Sequence, residues 1–276
     1  MNKSALGSAL RALRVSSGLE AKAVARGAAM SRSKLSKIEN GNVAPSLTDV
    51  DSVLTVIGVS EEVKAEYMAA AREAATEVTA WRLFRRLGYS RKQQQVQSLE
   101  ARTALLRLFQ PSLIPGLLQT PEYVRAVFEP KDLTDGQLES TISARLARQS
   151  VLYAQGKDFQ FLITESVLRW LVVPPLVMVG QLDRLLSLSR LPNVDIRVVA
   201  LSVPQKDFAG HSFCLFDDRT VTVETVHAEI VVTDPRDVAL YVSKFERFRE
   251  SAVSGDAMRA LVESIRDGYL REQETG

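Results

Sequence analysis

The chain has little sulfur and little imidazole: one cysteine, Cys214, and two histidines, His211 and His227, in 276 residues. A single thiol excludes an internal disulfide and any cysteine-rich metal site, and it fits a reducing compartment. With no His-Glu-x-x-His spacing either, neither a zinc site nor another bound cofactor is expected. Glycine-rich phosphate loops of the G-x-G-x-x-G and G-x-x-x-x-G-K types are absent. Long hydrophobic runs are missing too. The most apolar stretch, Leu171 to Val179, contains Pro174 and Pro175 and is far short of the ~20 residues that cross a bilayer. The N-terminus lacks the continuous apolar segment of a signal peptide. These absences predict a soluble, cytoplasmic protein without membrane contact.

What is present is unevenly distributed. The net charge of +2 is nearly neutral, yet residues 1–48 hold eight basic side chains against two acidic ones. Residues 49–77 reverse this, with two basic and seven acidic. The positive charge is concentrated at the N-terminus, the electrostatic footprint of a polyanion partner. The chain is also longer than one typical domain, so two units are expected.

The most informative stretch is Ser31-Arg-Ser-Lys-Leu-Ser-Lys-Ile-Glu-Asn-Gly41. Ser31 is a suitable helix N-cap and Gly41 a suitable stop. Leu35 and Ile38 give a narrow apolar stripe, leaving Arg32, Ser33, Lys34, Ser36 and Lys37 around the rest of the helix. Such side chains suit phosphates and base edges. Around this helix the pattern predicts four others. Leu6, Leu10 and Leu13 mark the first and Glu20 to Arg26 the second. Pro45-Ser46 starts one with Leu47, Val50, Leu54 and Ile57 inside, and Ser60-Glu-Glu starts the last. Together they form a compact five-helix unit, because no single helix buries its stripe alone.

On Leu10, Arg11, Leu13, Arg14, Gly18, Ala25, Ser31, Leu35, Ile38-Glu-Asn-Gly41 and Pro45, residues 6–58 resemble the lambda-repressor-type (XRE) helix-turn-helix family. The resemblance implies that the helix at Ser31 lies in the major groove of double-stranded DNA. Arg32, Ser33 and Lys37 then take base-reading positions, Lys34 a mixed base or phosphate position, and Asn40 a phosphate position. Two departures stand out. The family's early glutamine in the second helix is Ala21, leaving Lys22 as the nearest substitute contact. Ala29 occupies a turn position that is often glycine, which implies a slightly different turn.

A joint is expected over residues 78–92, between a DNA-binding unit at 1–77 and a larger unit at 93–276. Trp81, Phe84 and Leu87 read as an anchoring stripe with arginines on the wet side. The Ser90-Arg-Lys-Gln-Gln-Gln stretch that follows is polar and low in complexity. A helix is expected through Leu99, Leu105, Leu106 and Phe109, then a rigid bend at Pro111, Pro115 and Gly116. Thr120-Pro121-Glu122 is a helix start. Further helices are expected around Leu138–Leu152, Leu182–Ser189, Val238–Phe248 and Met258–Leu270. Strands are expected at Phe159–Ile163, Val194–Ala200, Phe213–Phe216 and Val221–Val226. The chain as a whole therefore reads as mostly α, with a second unit that is α+β.

The segment Pro115-Gly-Leu-Leu-Gln-Thr-Pro-Glu-Tyr123, with Arg148-Gln149, Glu165, Gln181-Leu182 and Val223-Glu224, resembles the C-terminal domain of WhiJ-like actinobacterial regulators. That family is linked to development and antibiotic production, and its genes often neighbour one for a small partner protein. The resemblance implies an architecture and a partner rather than a mechanism.

No enzymatic activity is expected. Gly210-His-Ser-Phe-Cys214, with Asp217, Asp218 and His227 downstream, lacks the closing glycine of a nucleophile elbow, and its serine leads into a strand instead of a helix. Leu182, Leu185 and Leu186 read as core rather than as a ligand box. The leading expectation is a sequence-specific transcriptional regulator. One recognition helix touches only about four or five base pairs, so a homodimer reading two half-sites is expected. Two alternatives stay open: a module that mainly binds a small partner protein and uses DNA for autoregulation, and a small-molecule sensor.

Overall fold

The computed structural model describes residues 3–74, 76–80, 89–226 and 228–275. The expected stripe of Trp81, Phe84 and Leu87 lies outside these residues, as does His227. Two compact units result, Met1–Val78 with Ile230–Asp237, and Thr79–Glu229 with Val238–Gly276.

The first unit contains α1 (Lys3–Ser16), α2 (Ala21–Gly27), α3 (Arg32–Glu39), α4 (Leu47–Ile57) and α5 (Glu61–Ala74). Local chemistry sets the boundaries. The Ser31 hydroxyl accepts from the Lys34 amide and opens α3. Ser46 and Asp49 exchange side-chain and backbone bonds in a capping box that opens α4. Leu6, Leu10, Val24, Leu35, Ile38, Val50 and Leu54 form the core, one or two from each of the first four helices. Between α2 and α3, Ala29 takes the left-handed conformation with φ 51°. That conformation costs a non-glycine residue about 1–2 kcal/mol, against roughly 0.5–1 kcal/mol of extra chain entropy lost by glycine. Ala29→Gly should accordingly stabilise the unit by about 0.5–1 kcal/mol in a urea titration.

Strand β1 (Thr76–Ala80) follows α5. The next described element is α6 (Ser90–Arg102), so the polar stretch expected to belong to the joint is the start of a helix. Its inward positions are polar: Lys92, Gln93 and Glu100 are all buried.

The helix expected to run from Leu99 through Phe109 instead ends at Arg102, and Leu105–Gln110 is strand β2. The reason is tertiary. β2 is hydrogen-bonded on both sides, parallel to β3 (Asp158–Thr164) and antiparallel to β5 (Phe213–Phe216). A run such as Leu-Leu-Arg-Leu-Phe fits either period, and pairing on both edges decides it.

The bend after β2 leads into a short 3-10 turn, Gly116–Leu118, and then α7 (Pro121–Phe128), capped by Thr120 with proline at its start. Next come α8 (Asp135–Arg148), β3, α9 (Glu165–Arg169), α10 (Pro175–Leu188) and β4 (Val194–Val199), which pairs parallel with β3. β5 and β6 (Thr220–Glu224) form an antiparallel hairpin, so these strands lie in the order β6-β5-β2-β3-β4. The chain ends with β7 (Ala228–Val232), α11 (Pro235–Ser251) and α12 (Gly255–Thr275). Leu182, Leu185 and Leu186 of α10 pack with Phe159, Phe161, Val262 and Ile265 in the main core, as expected of core residues.

Candidate nucleic-acid interface and a buried polar cluster

α3 divides cleanly. Leu35 and Ile38 are buried, while Arg32, Ser33, Lys34, Ser36, Lys37 and Asn40 are exposed. Two ion pairs set how this helix is held. Arg14 of α1 donates to both Glu39 carboxylate oxygens, at 2.6 and 2.9 Å, and to the Leu19 carbonyl at 3.1 Å. Glu39 is only 7% exposed, so it anchors the C-terminal end of α3. Its carboxylate raises the Arg14 pKa, since the hydrogen bond favours the charged guanidinium.

The second pair joins Lys34 to Asp49 at 2.7 Å. The Asp49 carboxylate also accepts from the Ser46 amide at 3.0 Å. Burial opposes its ionisation, but the bonds from Lys34 and Ser46 prevail and hold the carboxyl below its ordinary range.

Among the sequence-selected residues, then, Arg32, Ser33 and Lys37 share the exposed side of one helix with Lys34, whose charge is already matched within the fold. Asn40 follows as the C-cap residue, and its amide donates to Ser36 Oγ at 3.4 Å. Lys22 is exposed on α2. Sequence reasoning placed Arg14 and Glu39 in the family pattern without pairing them, 25 residues apart, and it missed Asp49, whose partner lies 15 residues away.

The segment 115–123 also acquires a physical explanation. Several backbone groups between Gly116 and Thr120 are met by side chains rather than by sheet or helix bonds. Gln149 Nε2 donates to the Gly116 and Gln119 carbonyls at 3.1 and 2.9 Å. Gln181 accepts from the Thr120 amide at 2.8 Å and donates to the Leu118 carbonyl at 2.9 Å. Gln119 donates to the Ile114 carbonyl at 2.7 Å, and the Ile114 amide donates to Tyr123 Oη at 3.3 Å. Next to this scaffold, Arg148 grips Glu100 with two bonds of 3.0 and 2.8 Å. Burial raises the Glu100 pKa even though Arg148 pulls the other way.

Of the residues weighed for hydrolysis, Asp217 and Asp218 have structural partners. Asp217 accepts from the Ala104 and Leu105 amides at 3.0 and 2.9 Å, and Asp218 pairs with Arg107. Ser212 precedes β5, a strand as expected. Burial pushes the Cys214 thiol well above its ordinary value. Among the described residues no group of three or more His, Cys, Asp or Glu side chains is placed to hold a metal. No helix there is long and apolar enough to cross a membrane.

These features are those of a helix-turn-helix domain, and residues 5–67 match a helix-turn-helix domain family, which points to a DNA-binding regulator. Residues 93–264 match the domain of unknown function DUF5753, and the chain belongs to that family. No curated protein matches the chain. Among solved structures, similarity is found to NucT from Helicobacter pylori, at 12% identity over 65% of this chain and 98% of that one, with a TM-score of 0.37. Nuc, a phospholipase D family member from Salmonella typhimurium, gives 11% identity over 65% and 97%, with a TM-score of 0.37. TrmBL2, described as an archaeal chromatin protein, gives 14% identity over 71% and 60%, with a TM-score of 0.35.

Proposed function

We propose that this protein is a sequence-specific transcriptional regulator of the XRE type, with a WhiJ-like second domain. It works in the cytoplasm as a homodimer and has no catalytic role. One observation carries the reading: α3 buries only Leu35, Ile38 and Glu39 and exposes a face of Arg32, Ser33 and Lys37. A short helix with so little inward surface is held by its neighbours so that its outward face meets something else, and arginine and lysine suit guanine edges and phosphates. Dimer contacts through the second domain would set two such helices about one helical turn of DNA apart. A small partner protein bound by that domain would tune this activity.

Selection of bound fragments from genomic DNA tests the reading, with a symmetric motif as the expected product. On the recovered site, Arg32→Ala and Lys37→Ala should each weaken binding by about 1–3 kcal/mol and relax preference at one base position. Asn40→Ala should weaken all sequences alike. Gel-shift titrations across salt measure all three, and unchanged affinity throughout would reject α3 as the reading element.

A further inference from the structure

The most apolar stretch of the sequence lies largely at the surface. Every residue from Trp170 to Val179 is apolar, yet only Val173 and Met178 among them are buried. Trp170, Leu171 and Leu176 are 68%, 46% and 58% exposed, and Pro174 between them is exposed as well. Among the described residues, no other seven-residue stretch exposes three large apolar side chains. A single exposed leucine needs no explanation, but an apolar patch of a few hundred Å² or more marks a contact surface.

The exposure is held in place from the inner side. The Trp170 amide donates to the Ser166 carbonyl at 2.9 Å, and the Val172 amide to the Trp170 carbonyl at 3.0 Å, which fixes the turn between α9 and α10. Tyr269 Oη of α12 donates to the Leu168 carbonyl at 3.0 Å. Val172, Val177 and Val179 pack against the main core. The inward side of the stretch is thus occupied, and Trp170, Leu171 and Leu176 stay in water.

Charge and area select what covers them. The ionic groups flanking the stretch are matched within the chain: Arg169 donates to Glu165 at 2.7 Å, and Arg266 of α12 to Asp183 of α10 at 2.8 Å. Neither sign is in excess there to attract a nucleic acid, an anionic lipid or an acidic partner. The exposed parts of the stretch amount to roughly 400 Å² of apolar surface. Two copies would cover roughly 800 Å², the apolar share (about 65%) of a homodimer interface burying about 1,200 Å². Transient interfaces, by contrast, are no more apolar than the rest of the protein surface.

We propose that the Trp170–Val179 surface is the twofold contact through which two copies of this chain associate, the same stretch of each meeting the other. The inference rests on the dimeric reading given above and adds where the copies join.

Sedimentation velocity of the full-length protein over a concentration series tests it. The expected result is a reversible dimer for the unaltered chain. Trp170→Glu and Leu176→Glu should each raise the dissociation constant about thirtyfold or more, as loss of a central anchor does. Leu240→Glu, at an exposed leucine of α11, should leave it unchanged. Thermal melting checks that each variant is folded, and Trp170→Ser and Leu176→Ser probe the same contact if a glutamate variant is not. A dimeric chain whose folded Trp170 and Leu176 variants are equally dimeric would overturn this surface and leave the dimeric reading standing. A chain that is monomeric at every concentration would overturn both, and flotation of that monomer with phosphatidylcholine vesicles would assign the patch to a lipid surface instead.

Discussion

Glu100→Ala should destabilise the second unit by about 3–5 kcal/mol, the cost of leaving a buried guanidinium without its carboxylate. Glu100 and Arg148 are 3% and 8% exposed, so water has little access to the stranded charge. The loss is compounded by Arg145, whose own charge already disfavours a second cation nearby. Lys157, which donates to the Glu100, Ala101 and Thr103 carbonyls at the end of α6, is a further cation near the stranded guanidinium. A double variant, Glu100→Leu with Arg148→Met, removes both charges and should recover most of the loss, since apolar pairs of similar volume often match buried ion pairs. Urea titration of the three proteins checks this. An effect below about 1 kcal/mol for Glu100→Ala would show that the pair is not desolvated in solution.

Gly7→Ala should damage the first unit by about 1–3 kcal/mol or more, through a clash that no side-chain rotation relieves. A Cβ at position 7 would lie 2.1 Å from the Ile38 carbonyl oxygen and 3.2 Å from its carbon, both backbone atoms. α1 therefore has to move off the end of α3. The Arg14–Glu39 grip bridges the same two helices, so that movement also stretches its bonds. DNA affinity should fall together with thermal stability, although Gly7 has no side chain to offer to a base. Thermal melting and a gel shift on one preparation separate this from a purely local defect. A variant with unaltered melting would mean that the helices are spaced more widely than described.

The first unit was largely legible in the sequence because its signals are local. Ser31 and Ser46 cap helices where their spacing placed them, and Leu6, Leu10, Leu35 and Ile38 are buried at the helical period. The second unit was legible where apolar periodicity marks burial, as in β3, β4 and α10. It was not legible where polar residues face inward. Lys92, Gln93, Val96 and Glu100 follow the helical repeat, but only Val96 carries the apolar character that a pattern detects. Their partners lie far along the chain, Glu229 for Lys92 and Arg148 for Glu100, so no local window pairs them. β2 was misread for a related reason: its Leu-rich run is ambiguous until the strands on either side are known. The bend and the helix start at Thr120 were read from the 115–123 segment, but the side-chain bonds that hold it come from Gln149 and Gln181, which only the folded chain brings near.

The Lys34–Asp49 contact bears on how ionic strength acts on this protein. A lysine that leaves water for a DNA phosphate normally displaces a condensed cation, and each such event steepens the salt response. Lys34 would instead trade one negative partner for another, leaving Asp49 to recruit a counterion of its own. The logarithmic salt slope should therefore largely overlook Lys34. Neutralising Asp49 would make the slope steeper without adding a single new contact.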